Sequence, residues 1–351
     1  MLGSHIIGRR RAALVSGGVF AAVVLAVSIG TARAEDGCNG GIANPKRLSV
    51  ARTVEIDTAT GPVIGNFTKL PHEPNFLAPK EVVLTFDDGP VPWITRSILA
   101  TLAQHCTRAT FFSVGQMALA YPDAVREELA QGHTVGTHTW SHPLTLRRLK
   151  TAAAEDEMEK GFAAVTAAAG RPIAALFRFP GLSDSSGMVA HLAARHVATL
   201  TVDVVSNDSY IHDAARLTRE TLAKVEANQG GIILFHDIKA STAKALPGIL
   251  NTLAERGYRV VHLVSKQPLE AHPGLLTNYA AQVARALDKT TVAKKSLPFY
   301  GAVKPERVGQ PAGASGDPGG GETTSPASKR TANRQHPPTG WSTRVRPNEP
   351  N

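Results

Sequence analysis

Val82-Val83-Leu84-Thr85-Phe86 runs without a break into Asp87-Asp88-Gly89-Pro90. A short apolar run bounded by turn formers reads as a strand. Two adjacent carboxylates at its C-terminal end, followed by a tight turn, sit where the active sites of parallel barrels form. Taken alone, Asp-Gly-Pro is ordinary turn chemistry, and the acids can equally cap a following helix. The surrounding chain decides between these readings.

Six further apolar runs follow: Thr110–Val114, His133–Thr137, Ala175–Phe179, Ala198–Val204, Ile232–Phe235 and Arg259–Val264. Segments of helical spacing lie between most of them. Ile94, Ile98 and Leu102 repeat at four, and Leu246, Ile249, Leu250 and Leu253 follow a 3-1-3 pattern. Strands alternating with helices predict an α/β fold with a parallel sheet. Seven strands in so short a stretch fit a barrel better than two domains.

Outward from this centre the texture changes. Residues 1–34 read as an export signal: Arg9-Arg10-Arg11, an apolar stretch from Ala12 to Ile29, then Ala32-Arg33-Ala34 as a small-x-small cleavage site. The 18 residues 12–29 are also just long enough to span a bilayer as an uncleaved anchor. Many Ala, with Gly17 and Gly18, make the stretch weakly hydrophobic and favour cleavage, hence a secreted or periplasmic protein. Residues 35–79 carry turn formers and no helical period, an irregular lead-in with room for a short strand or two. The barrel is expected over 80–265 and a helical extension over 266–300. The tail 301–351 holds eight Gly and eight Pro and is expected to be disordered.

The net charge of +9 belongs mostly to the ends. Residues 1–34 carry four Arg and no acid, and the tail adds +3, which leaves +2 for the middle. Nucleic-acid binding has no support in such a distribution. The two cysteines exclude a disulfide-dense scaffold and a thiolate zinc knuckle. Export would place Cys38 and Cys106 in an oxidising compartment, where two otherwise solitary cysteines tend to pair. Their disulfide would tie the lead-in to the barrel; the alternative is a buried thiol at Cys106 and a bystander at Cys38.

His138-Thr139-Trp140-Ser141-His142 sets two imidazoles four residues apart, on one face of a helical turn, a common spacing for metal ligands. With 13 His in 351 residues, about 0.5 such pairs arise by chance, so the pair alone decides nothing. The set does. Arg178 ends one apolar run, Asp203 and Asp208 punctuate the next, and His236-Asp237 closes another. A barrel brings such strand ends together. One carboxylate and two His leave a position open for water, as in catalytic rather than structural zinc sites. Water on such a metal is acidified toward a pKa of about 7. A second carboxylate can take its proton, and another His can give one to a leaving group. That chemistry hydrolyses an amide or an ester. The HExxH helix of metalloproteases and a Gly-x-Ser-x-Gly elbow are both absent from the sequence.

Thr85-Phe86-Asp87-Asp88-Gly89-Pro90, His138-Thr139-Trp140-Ser141-His142, Arg178-Phe179-Pro180, Asp208 and Leu234-Phe235-His236-Asp237 resemble, in order, the five motifs of the polysaccharide deacetylases, the NodB-homology domain. The resemblance covers roughly 80–265 and includes Ala109–Gly115 and Gly132–Gly136. It implies a deformed (β/α) barrel of about seven parallel strands and a divalent metal, most often zinc and otherwise cobalt or another divalent ion, held by Asp88, His138 and His142. It implies Asp87 as general base held by Arg178, and His236 as general acid tuned by Asp208. The backbone N–H of Gly181 would share the oxyanion with the metal. The reaction implied removes N-acetyl groups from an N-acetylglucosamine-type glycan. The expected partner is that acetylated glycan, with a membrane only if the N-terminal segment stays uncleaved, and the expected state is a monomer. Alternatives are a NodB-like carbohydrate-binding protein without turnover and an O-acetyl esterase. Two departures stand out: Ser209 follows Asp208 where the family usually has Trp, and Arg178-Phe179-Pro180-Gly181 replaces the commoner Arg-Pro-Pro-Tyr. His133 is read as structural, because only the i, i+4 pair has the reach of ligands.

Overall fold

The computed structural model describes residues 47–296, with the side chains of 288–296 excepted. The expected signal segment, Cys38 and the tail lie outside them. Ten strands and eight helices alternate along the described chain. The strands are β1 (Val50–Ile56), β2 (Val63–Ile64), β3 (Glu81–Asp87), β4 (Thr110–Ser113), β5 (Thr134–Thr137), β6 (Leu176–Phe177), β7 (Ala198–Leu200), β8 (Val204–Val205), β9 (Gly230–His236) and β10 (Arg259–Ser265). The helices are α1 (Pro92–Gln104), α2 (Gly115–Ala120), α3 (Pro122–Ala130), α4 (Thr151–Ala169), α5 (Ser186–Ala194), α6 (Ala214–Ala227), α7 (Ala240–Glu255) and α8 (Pro273–Ser296).

All ladders between these strands are parallel. From β3 the sheet runs through β4, β5 and β6 to β7, while β9 pairs with β3 on one side and β8 on the other. Only Thr201–Asp203 separates β7 from β8, so the sheet closes on itself as a deformed barrel. Asp203 secures that seam: its carboxylate accepts the N–H of Ile232 at 2.8 Å and both N–H groups of Asn66 at 2.7 and 3.0 Å. This strand-end acid is therefore committed to closing the sheet.

Two expectations change. The run Ala198–Val204 is split by the seam into β7 and β8. The run Arg259–Val264 forms β10, which pairs with β3 only at Glu81 and Val82 and otherwise with β1 from the lead-in. A seventh strand is thus spent on the N-terminal end of the barrel, and the lead-in supplies its neighbour.

Strand alternation explains the layers. On β3, Val82, Leu84 and Phe86 face outward into a cluster with Ile98, Leu102, Leu246, Ile249 and Leu250 of α1 and α7. Val83 faces inward with Phe112, Leu176, Leu200, Ile232 and Leu234. Thr85 and Asp87 continue that inward row because successive side chains alternate, and both are buried. The pleat therefore carries apolar residues deep in the barrel and a carboxylate at its C-terminal rim. Helix α8 packs Leu275, Leu276, Tyr279 and Val283 on the small residues Ala163, Ala164 and Ala167 of α4.

The opposite end of the barrel is held by neutral histidines. His133 opens β5, where its Nδ1 accepts the N–H of Ala109 at 3.1 Å. His262 lies 2.9 Å from the Thr134 hydroxyl. Burial is the main cause that pushes His133 down to about 3 and His262 down to about 4. An unfolded chain protonates such rings near pH 6.5, before the folded one does. The stability they confer is complete above that pH and is lost as pH falls toward 4, at up to about 1.4 kcal/mol per pH unit for each ring. The urea midpoint should fall over this range, and more gently in His262→Leu. Equal slopes for both proteins would exclude His262 as a source.

Candidate metal centre and active site

One register line assembles the rim. Asp87 on β3 pairs with His236 on β9 and with Phe112 on β4, Ser113 pairs with Thr137, and Thr137 with Phe177 on β6. Asp88, His138 and Arg178 are each the next residue after a strand so aligned. The side chains named from five separate sequence motifs therefore meet at one end of the barrel.

Asp88, at φ 78°, turns its carboxylate to two imidazoles. Its Oδ1 lies 3.1 Å from His142 Nε2 and 3.5 Å from His138 Nε2. The His138–His142 segment is an irregular loop, not the helical turn expected from the spacing. The rings come within 4.8 Å of each other because Thr139 and His142 take φ of 67° and 57°. These backbone values reverse the chain where a helix would stack the two side chains.

The donor set fits a divalent cation. His138 Nδ1 lies 2.6 Å from the carbonyl oxygen of Arg178, which can only accept. The hydrogen of a neutral ring therefore sits on Nδ1, and Nε2 presents its lone pair. Asp88 Oδ1 is buried without a hydrogen-bond donor. One ligand atom from each of Asp88, His138 and His142 lies within 4.8 Å of the others. Converging N and O donors of this kind suit zinc or a similar ion. Burial raises the Asp88 pKa, but electrostatic attraction to the His142 and His236 rings outweighs it and holds the carboxylate well below the ordinary range.

Asp87 and His236 flank this set with different partners. Arg178, fully buried, donates to Asp87 Oδ1 at 2.8 Å and to the Thr85 hydroxyl at 2.7 Å. It also donates to the carbonyls of Leu200 and Thr201 and lies 4.4 Å above the Phe112 ring centre. His236 Nδ1 lies 2.6 Å from Asp208 Oδ1, and its backbone N–H donates to Oδ2 at 2.7 Å. Thr242 completes the Asp208 carboxylate at 2.6 Å. Burial favours the neutral His236 ring, yet the charges of Asp208 and Asp88 and the Asp208 hydrogen bond raise it to about 10. The ring therefore carries its second proton, and Nε2 stands 4.0 Å from Asp88 Oδ2.

The departures from the family pattern also have places. The Ser209 hydroxyl lies 3.4 Å from His236 Nδ1, and Tyr210 is exposed. Gly181 sits in a short 3₁₀ turn at φ 60°, beside Leu144. His133 is at the far end of β5 from the ligands. Cys106 is disulfide-bonded, and Cys38 lies outside the described residues.

Three supports are not singled out by the sequence. Thr85 binds Arg178, and Thr242, which belongs to no motif, binds Asp208. Asp237, buried beneath the Asp88 turn, accepts the Thr95 hydroxyl at 2.6 Å. Burial raises it, the Thr95 bond opposes, and the charge of Asp88 raises it further, to about 7. Gly89 has no room for a Cβ, which would collide with this carboxylate.

A largely buried Asp-His-His set at the C-terminal rim of a parallel barrel in an α/β fold is a group suited to a divalent metal. Comparison with known proteins gives its family. The polysaccharide deacetylase profile matches residues 77–200. A peptidoglycan-N-acetylglucosamine deacetylase of Bacillus cereus is 30% identical over 189 residues, 51% of this chain and 67% of that protein. A Listeria monocytogenes protein of the same description is 31% identical over 224 residues, 63% of this chain and 46% of that one. The solved peptidoglycan deacetylase of Bdellovibrio bacteriovorus superposes with a TM-score of 0.57 at 32% identity, covering 64% of this chain and 61% of that one. This chain belongs to the polysaccharide deacetylase family. It spans about half the length of the Listeria relative.

The geometry separates the two adjacent carboxylates. Asp88→Asn and His138→Ala should each weaken zinc binding at least tenfold, since each removes one of three donors. Asp87→Asn should leave zinc affinity within a few-fold of the wild type. Equal losses for Asp87→Asn and Asp88→Asn in a chelator competition would mean that the roles are wrongly divided.

Proposed function

We propose that this protein is an exported, metal-dependent deacetylase that removes N-acetyl groups from N-acetylglucosamine-containing glycans. The observation that carries the reading is the placement of a base held by Arg178 and an acid held by Asp208 on either side of the Asp88–His138–His142 set. A divalent metal, when bound there, supplies a Lewis acid for the amide carbonyl and lowers the pKa of a water. Arg178 donates to Asp87 Oδ1, which leaves Oδ2 to take a proton from the attacking water. Asp208 holds the His236 ring through Nδ1, so Nε2 delivers its proton to the departing sugar nitrogen. The N–H of Gly181, on its left-handed turn next to Arg178-Phe179-Pro180, meets the developing oxyanion. The products are acetate and a free amine.

The bacterial relatives, which are peptidoglycan-N-acetylglucosamine deacetylases, support a glycan as substrate. Export rests on Arg9–Arg11, the apolar stretch 12–29 and Ala32-Arg33-Ala34. Among the described residues, no helix is long and apolar enough to cross a membrane.

The test is acetate release from acetylated chitooligosaccharides and peptidoglycan fragments with added zinc or cobalt. Binding without release across these glycans would favour a lectin-like protein, and faster release from acetylxylan an O-acetyl esterase. The pH profile adds a second check. His236 must be protonated to act, so activity is lost as pH rises through its pKa. Asp208→Asn removes the charge that raises that pKa, and the alkaline limb of kcat/KM should move to lower pH by a unit or more. An unmoved limb would remove His236 as the acid.

A further inference from the structure

The loop that carries both histidine ligands does not hold itself. Thr139 and His142 stand in the left-handed region, where a non-glycine residue is strained. Within the loop, one side-chain bond resists relaxation: the Thr139 hydroxyl accepts the His142 N–H at 3.0 Å. Outside the loop, the Gly115 and Gln116 N–H groups at the start of α2 donate to the Thr139 and Trp140 carbonyls at 2.9 and 3.0 Å, and further supports come from α4, a helix that contributes no ligand.

Glu157 meets the loop three times. The Ser141 N–H and hydroxyl donate to its two carboxylate oxygens at 2.9 and 2.8 Å. The Trp140 N–H donates to its backbone carbonyl at 2.8 Å. One turn further along α4, Gly161 lets the helix approach so closely that an added Cβ would stand 2.6 Å from the Thr139 carbonyl carbon. On the other flank, the Trp140 ring stacks on Tyr279 of α8, with centroids 5.1 Å apart and planes 22° apart. The three residues between the ligands are thus gripped by groups that never face Asp88.

We infer that Glu157 is a positioning residue for the metal ligands: it holds Trp140 and Ser141 so that His138 and His142 present Nε2 to Asp88 before a metal arrives. The inference rests on the reading of Asp88, His138 and His142 as the ligand set. It adds that α4, through the Glu157 carboxylate, helps to set the spacing of the two imidazoles. Preorganised ligands bind tightly because the ion does not have to order them, and partners that orient ligands carry about 10–100-fold of metal affinity.

The experiment uses the full chain stripped of metal. Zinc affinity is measured by competition with a fluorescent chelator, and thermal unfolding of the apo protein is followed in parallel. Glu157→Ala is expected to lose about tenfold or more in zinc affinity. Glu157→Gln keeps an acceptor for the Ser141 N–H and an amide donor for its hydroxyl oxygen, and is expected within about threefold of the wild type. A merely structural role predicts a lower apo midpoint with unchanged zinc affinity, and that result would overturn the inference. So would a Gln variant as weak as the Ala variant. If Glu157→Ala does not fold, Ser141→Ala carries the same test: a smaller loss supports the inference and an unchanged affinity overturns it. A wild type that binds no zinc removes the ligand reading and the inference together. Unchanged affinity in Glu157→Ala, beside a clear loss in His138→Ala, removes the inference alone.

Discussion

A single guanidinium holds the centre of the molecule. Arg178 is completely buried, yet its donors are spent on a carboxylate, a hydroxyl and two carbonyls from β3 and from the chain at and just beyond β7, and its own carbonyl lies against His138 Nδ1. Removing one partner of a buried ion pair leaves a charge that nothing compensates, at about 3–5 kcal/mol. Asp87, His138 and the wall of the barrel are therefore positioned by the same group. Phe112 lies against its face and keeps water from competing for it.

Around that centre several rim residues take left-handed backbone, and the opposite end carries none of the proposed site residues. Asp88, Thr139, His142 and Asn207 all take positive φ, and each belongs to a loop that carries a site residue or adjoins one. Backbone strain of this sort persists only where the surroundings over-determine it. The surroundings here are Asp237 under the Gly89 turn, Glu157 under the histidine loop, and Thr242 and the His236 N–H on Asp208. At the other end, neutral His133 and His262 complete hydrogen bonds between strands. Two sets of histidines thus do opposite work. Nearby carboxylates keep His236 charged, while burial without an anion keeps His133 and His262 neutral.

Much of this was legible before the fold. Apolar runs ending in Asp87-Asp88, His138, Arg178 and His236 announced strands whose C-terminal ends carry the chemistry, because strand periodicity and turn formers are local properties of the chain. The identity of the donors was local too, since residue type decides what can ligate or carry a proton. Legibility failed where local spacing had more than one physical realisation. The i, i+4 histidines suggested a helical turn, and the chain makes an irregular loop with two left-handed residues. Arg259–Val264 read as one more barrel strand, and it lies at the N-terminal end beside a strand from the lead-in. Asp203 looked like a strand-end acid with a share in the site, and it closes the seam.

The sequence by itself determined the α/β barrel, the order of the chemical groups and the two carboxylates at the end of β3. Only the tertiary structure decided which group serves which. Arg178 is paired with Asp87 across 91 positions, Asp208 with His236 across 28 and Glu157 with Ser141 across 16. Such pairings follow from ring closure and strand register. Many small burial terms spread over the whole barrel fix that register, and no single stretch of the chain spells it out.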